Sequence, residues 1–138
     1  MRTLQTGDTL QATLQADLAC AEKLCRQVEA FLEDRAPEAD LFAAMLLVRE
    51  AVNNAVVHGA RQALSADVDV KVQADADRIV LLVRDHGPGF DWREALAKTP
   101  APLSENGRGL PILKAYASSF RYNEAGNELT VILRRDQA

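Results

Sequence analysis

Glu50, Asn54 and His58 stand at i, i+4 and i+8 within the mostly apolar run LLVREAVNNAVVHGA, residues 46–60. At helical spacing, side chains so placed follow one line along the surface. A carboxylate one turn from a side-chain amide can orient a hydroxyl or a water. The amide oxygen can hold a metal. Magnesium suits ligation this sparse, because it keeps several waters and takes other ligands from phosphates. Asn53 lies beside Asn54, and the i+4 distance from Glu50 selects Asn54 for the metal-facing position. A solvated stripe on a half-buried helix would carry the same residues. His58 can equally brace the helix end.

Two further stretches carry chemistry. In VRDHGPGF, residues 83–90, an apolar run ends at Asp85 and passes directly into Gly87-Pro88-Gly89. A carboxylate there can accept hydrogen bonds from an amine-bearing ring, and the glycines let backbone approach a ligand closely. A strand-ending aspartate before a tight turn looks the same. In ENGRGLPIL, residues 105–113, Gly107, Arg108 and Gly109 precede a helix starting near Leu110. Free N–H groups at a helix N-terminus favour an anion, most naturally a phosphate, and Arg108 can add a charge-assisted contact. The alternative is a glycine-rich helix entry with a solvated arginine. No GxxxxGK[ST] sequence is present, which excludes a P-loop.

The elements around these residues follow from periodicity. TLQATLQAD (9–17) alternates weakly as a first strand, and residues 18–34 place apolar side chains at helical spacing. A second helix runs from Asp40, a plausible N-cap, to His58, with Gly59 ending it. Its core stripe is Leu41, Ala44, Met45, Val48, Val52, Ala55 and Val56. DVDVKVQAD (67–75) and RIVLLVRD (78–85) alternate as paired strands. Residues 86–106 hold one short helical candidate, DWREALAK, in which Trp92 can stack on a ligand or anchor the helix, the second being the expectation. Structureless loops beyond about 12–15 residues are uncommon in compact domains and are often lids. A helix from Leu110 and a closing hairpin with Gly126-Asn127 at its turn complete the chain. The order β–α–α–β–β–α–β–β predicts an α+β two-layer sandwich, a mixed, mostly antiparallel sheet with three main helices on one face and a lid. The glycine loops do not follow a βαβ unit, which disfavours a dinucleotide fold.

Composition narrows the class. The 138 residues suit a single domain spanning 1–138, with 48% hydrophobic and 26% charged residues, as in ordinary globular proteins. A net charge of −4 argues against direct binding of nucleic acid, which favours a basic face. No apolar run approaches the ~20 residues that span a bilayer. The start, MRTLQTGDTLQ, lacks an apolar secretory segment, so the expectation is a cytoplasmic protein without membrane attachment. Cys20 and Cys25 fall on different faces of a helix as reduced thiols, not as a CxxC site. One purine nucleotide with magnesium would account for the helix, the aspartate loop and the glycine pair together.

In their order, spacing and predicted elements, EAVNNAVVHG, RDHGPGF and NGRGL resemble the N box and the two glycine boxes of the GHKL ATPases. The similarity covers about residues 9–135. That superfamily includes gyrase, Hsp90-type chaperones, mismatch-repair ATPases and histidine kinases. A histidine kinase would need an upstream helical hairpin for which the expected single domain has no room. The chain is most similar to bacterial anti-sigma-factor serine/threonine kinases.

The resemblance implies an ATP- and Mg2+-dependent protein serine/threonine kinase. It would sequester a sigma factor and phosphorylate a STAS-domain anti-anti-sigma partner. By position, Asn54 would be the magnesium ligand and Asp85 would bind the adenine amino group. Gly87 and Gly89 would shape that pocket's floor, and Gly107, Arg108, Gly109 and Leu110 would cover the phosphates. Glu50 would be the general base. Relatives of this kind imply a homodimer through the N-terminal strand and helix. An acidic surface could also mask a basic sigma factor. The alternative is a nucleotide-gated partner-binding module without phosphotransfer, for which Glu50 would have no chemical use.

Overall fold

Alternation at period two runs through Val68, Val70 and Val72 and again through Ile79, Leu81 and Val83. In the computed structural model both stretches are strands with these residues turned to one buried face. The structure describes residues 1–59, 67–97 and 110–135, apart from the side chains of residues 58, 59 and 110. Its strands are β1 (Arg2–Thr6), β2 (Thr9–Gln15), β3 (Asp67–Ala74), β4 (Arg78–Asp85), β5 (Ser119–Tyr122) and β6 (Glu128–Arg134). They form one sheet in the order β1-β2-β3-β4-β6-β5, with every neighbouring pair antiparallel. The helices are α1 (Leu18–Arg35), α2 (Leu41–Asn54), α3 (Trp92–Ala97) and α4 (Leu110–Tyr116), with a π-helical turn at Ala55–Gly59.

Helices α1 and α2 lie against one sheet face. Leu24, Val28, Phe31 and Leu32 from α1 and Leu47, Val48 and Val52 from α2 share one core with Leu10, Leu14, Val68, Val72, Leu81 and Val131 from the strands. This is the expected α+β sandwich. The starts of α1 and α2 are each fixed by an aspartate. Asp17 accepts from the Cys20 N–H at 2.7 Å, and Asp40 accepts from the Ala43 N–H at 3.0 Å, satisfying donors that the helix itself leaves unpaired. Residue 17, expected at the end of a strand, is therefore the cap of α1. α1 ends as the Ala36 N–H bonds the Leu32 carbonyl, just before Pro37. Among the described residues no helix is long and apolar enough to cross a membrane.

Two further features depart from the sequence expectation. The first strand of the chain is β1, not β2. All five of its residues are exposed, and it pairs with β2 through a two-residue turn in which Gly7 has φ +57°. α2 also does not run as an α-helix to His58. Its regular geometry ends at Asn54, where the Ala55 N–H is shared between the Ala51 and Val52 carbonyls, and the next five residues widen into the π turn. Glu50 and Asn54 keep their one-turn relationship. The continuation of that line to position 58 assumed α geometry that stops short of it.

Candidate functional site

Asp85 is the last residue of β4 and continues the inward series Ile79, Leu81 and Val83. The two-residue period therefore sets a carboxylate on the face that the helices cover. Among the described residues it is the one charged or polar side chain that is buried, at 6% exposed. Facing it, the last turn of α2 supplies Asn54 beside Ala51 and Ala55. A small, partly open cleft lies between them. Val83, Leu129, Phe90 and Tyr122 give it apolar walls, while Asn54, Asp85, Asn127 and Glu128 bring polar groups to its lining.

A buried carboxylate is stable only when hydrogen-bonded. The Gly87 N–H donates to Asp85 Oδ1 at 2.7 Å, and the Asp85 N–H donates to the Asn127 carbonyl at 3.0 Å. The loop 85–90 is laced to the β5–β6 turn by two further bonds, Phe90 N–H to the Ala125 carbonyl at 3.1 Å and Asn127 Nδ2 to the Gly87 carbonyl at 3.0 Å. The approach is close enough to require glycine on both sides. A Cβ on Gly89 (φ +81°) would lie 1.8 Å from the Ala125 oxygen, and one on Gly126 (φ +86°) 2.4 Å from the Phe90 oxygen.

Aromatic rings brace the outer end of this loop. Tyr122 meets Phe90 edge-on with centroids 5.0 Å apart and stacks against Trp92 at 6.1 Å with 23° between the planes. Trp92 Nε1 also donates to the Glu124 carbonyl at 3.4 Å. Trp92 thus fastens α3 to β5, the anchoring role expected of it.

The structure brings Asn54 and Asp85 into one cleft, although 30 residues of chain separate them. Glu50, half-buried, lies one turn before Asn54 on α2 and outside the cleft lining. Gly87 and Gly89 also lie outside that lining, and they hold the loop to the β5–β6 turn instead. Leu110 opens α4, as expected. Its side chain, with Gly107, Arg108 and Gly109, lies outside the described residues. The sequence marks 126–127 as a turn and gives no functional role to Phe90, Tyr122, Asn123 or Asn127. The available signal was the pair of asparagines around the glycine in NEAGN, since asparagine amides organise turns.

The donor set suits a flat, amine-bearing ring. Apolar walls can enclose the ring faces, and the buried carboxylate can accept from the amine. Among the described residues no group of three His, Cys, Asp or Glu side chains could hold a metal. A cation at Asn54 would need most of its ligands from water and from a bound phosphate, the coordination that magnesium favours.

Comparison with known proteins agrees with this geometry. Residues 14–133 match the histidine kinase-like ATPase domain. The chain is similar to the anti-sigma F factor of Anoxybacillus flavithermus (strain DSM 21510 / WK1), with 30% identity over 110 residues that cover 76% of this chain and 75% of that protein. It is also similar to the signal transduction histidine-protein kinase/phosphatase DegS of Bacillus subtilis (strain 168), with 40% identity over 52 residues covering 38% of this chain and 12% of DegS.

Proposed function

The chain belongs to the histidine kinase-like ATPase (GHKL) family, and from that premise we propose that it is an ATP-dependent protein serine/threonine kinase of the anti-sigma type. It holds a sigma factor inactive and phosphorylates a STAS-domain anti-anti-sigma protein on serine or threonine. One observation carries the reading most strongly. The buried Asp85 carboxylate and the Asn54 amide face one apolar cleft, within a chain whose similarity to an anti-sigma F factor extends over three quarters of both.

In this mechanism Asp85 accepts the adenine amino group, and Val83, Leu129 and Phe90 exclude water from the ring. Asn54 presents its amide oxygen to magnesium, with Gly107, Arg108, Gly109 and Leu110 proposed to cover the phosphates. Magnesium, when bound there, would neutralise charge on the phosphoryl group in transfer. Glu50, one helical turn from Asn54, takes the proton from the partner's hydroxyl as that oxygen bonds the γ-phosphorus of ATP and the bond from this phosphorus to the β–γ bridging oxygen breaks, releasing ADP. A positioned base of this kind contributes roughly a hundred- to ten-thousand-fold. The protein acts in the cytoplasm, as a homodimer.

The test is phosphotransfer read by intact mass. The protein is mixed with Mg·ATP and the STAS-domain protein encoded nearest its gene, beside Glu50→Gln and Asp85→Asn. Wild type is expected to add one phosphoryl group to the partner, and neither variant should do so at a comparable rate. ATP binding and complex formation without transfer would overturn the kinase assignment for that pair. The same result would favour a module that ATP and ADP switch between partner affinities.

A further inference from the structure

Asp85 receives its orientation from a chain of hydrogen bonds that starts in the β5–β6 turn. Asn123 Oδ1 accepts from three backbone N–H groups, those of Gly126, Asn127 and Glu128, at 2.8, 3.0 and 3.2 Å. This fixes which end of the Asn123 amide is oxygen, so its Nδ2 must be the group that donates to Asn127 Oδ1, at 2.7 Å. The Asn127 amide is oriented in turn, with Nδ2 donating to the Gly87 carbonyl at 3.0 Å. The Gly87 N–H then donates to Asp85 Oδ1 at 2.7 Å. Each side-chain amide in the series is set by the one before it; the last holds the Gly87 carbonyl, and the N–H of the same residue, on the preceding peptide unit, bonds the buried carboxylate.

We propose that Asn127 is a positioning residue for Asp85: its side-chain amide, clamped by Asn123, holds the Gly87 carbonyl and so aims the Asp85 carboxylate for recognition of a ring amine. This rests on the reading of the cleft as an adenine site. Asn127 acts through Gly87, and its effect falls on selectivity between rings more than on affinity for nucleotides as a class. Isosteric replacement by aspartate removes the donor and sets an acceptor against the Gly87 carbonyl. The loop then loses its side-chain tie while Asp85 Oδ1 remains in place to bond the Gly87 N–H.

The experiment measures the affinities of the full chain for ATP and for inosine triphosphate, which carries a carbonyl where adenine carries its amine. Wild type, Asn127→Asp, Asn127→Leu and Asp85→Asn are compared by calorimetry, with thermal unfolding of each recorded alongside. Wild type is expected to prefer ATP, and Asp85→Asn to lose that preference. Asn127→Asp is expected to lower the ATP-to-inosine ratio by about tenfold, the order of one well-aligned hydrogen bond, with inosine triphosphate binding little changed. The leucine variant gives the same reading should the aspartate variant fail to fold. An unchanged ratio in the folded variant, or equal weakening towards both nucleotides, would overturn the inference and leave the adenine site standing. A wild type without preference for ATP would overturn the adenine site, and the inference with it.

Discussion

Replacing Gly89 with alanine tests the joint between loop 85–90 and the β5–β6 turn, and the protein supplies its own control in Gly7. Both glycines have positive φ, +81° and +57°. Alanine in that region costs about 1–2 kcal/mol, partly offset by about 0.4–1 kcal/mol from a less flexible unfolded chain. Around Gly7 nothing lies within 4 Å of an added Cβ, so Gly7→Ala should cost about 1 kcal/mol or less. At Gly89 the new Cβ would lie 1.8 Å from the Ala125 oxygen, a separation that no small adjustment relieves. The loop must lift, breaking the Phe90–Ala125 hydrogen bond and leaving polar groups poorly paired, for a further ~1–3 kcal/mol. The sum is about 3 kcal/mol, or a fall in melting temperature of roughly 10 °C against roughly 3 °C for Gly7→Ala. Urea and thermal unfolding of the two variants, measured together, give the comparison. If Gly89→Ala proves no more destabilising than Gly7→Ala, the loop and turn are not packed as described.

Three further outcomes are expected. Phe31→Ala empties a site only 2% exposed in the core and should cost about 3–5 kcal/mol by chemical denaturation. The Cys20 N–H bond holds the Asp17 carboxyl below its usual range, so its stabilisation is present above the ordinary carboxyl pKa and is lost as pH falls through the lowered folded value. Asp17→Asn should therefore flatten the acid limb of a stability-against-pH curve, with wild type and variant drawing together at strongly acidic pH. Burial pushes the Cys25 thiol up, whereas Cys20 is part-exposed. Brief alkylation of the native protein, read by peptide mass, should modify Cys20 at least about tenfold faster than Cys25.

The strands that sequence reading placed best are those with a buried and an open face. Val68 to Val72 and Ile79 to Val83 announce their orientation by alternation, and Asp85 inherits its direction from the same period. β1 could not be read that way. Its residues RTLQT are all exposed, so its place comes from main-chain pairing with β2, which leaves no hydrophobic trace. The widening after Asn54 was hidden for a related reason, because Ala55, Val56 and Val57 fit an α or a π turn alike. The placement of Asn54 and Asp85 was legible because each lies at the end of a strongly patterned element. The loop-to-turn joint was not, since it depends on two backbones approaching from distant parts of the chain and on amides whose role appears only once Gly87 and Asn127 are neighbours.

The order β4-β6-β5 in the sheet gives the cleft a history as well as a shape. Its lining comes from α2 and the turn after it, from the end of β4 and the loop that follows, and from β5, β6 and the turn between them, and β6 follows every other described element along the chain while lying between two of them in space. Domains emerge from the ribosome N-terminal end first, so β1 to β4 can pair and collect their helices while the cleft still lacks a wall. Only when β6 inserts beside β4 does the β5–β6 turn reach the Asp85 loop. Nucleotide binding thus becomes available near the end of assembly, and a chain stalled before residue 123 would present the helices and most of the sheet without a completed site.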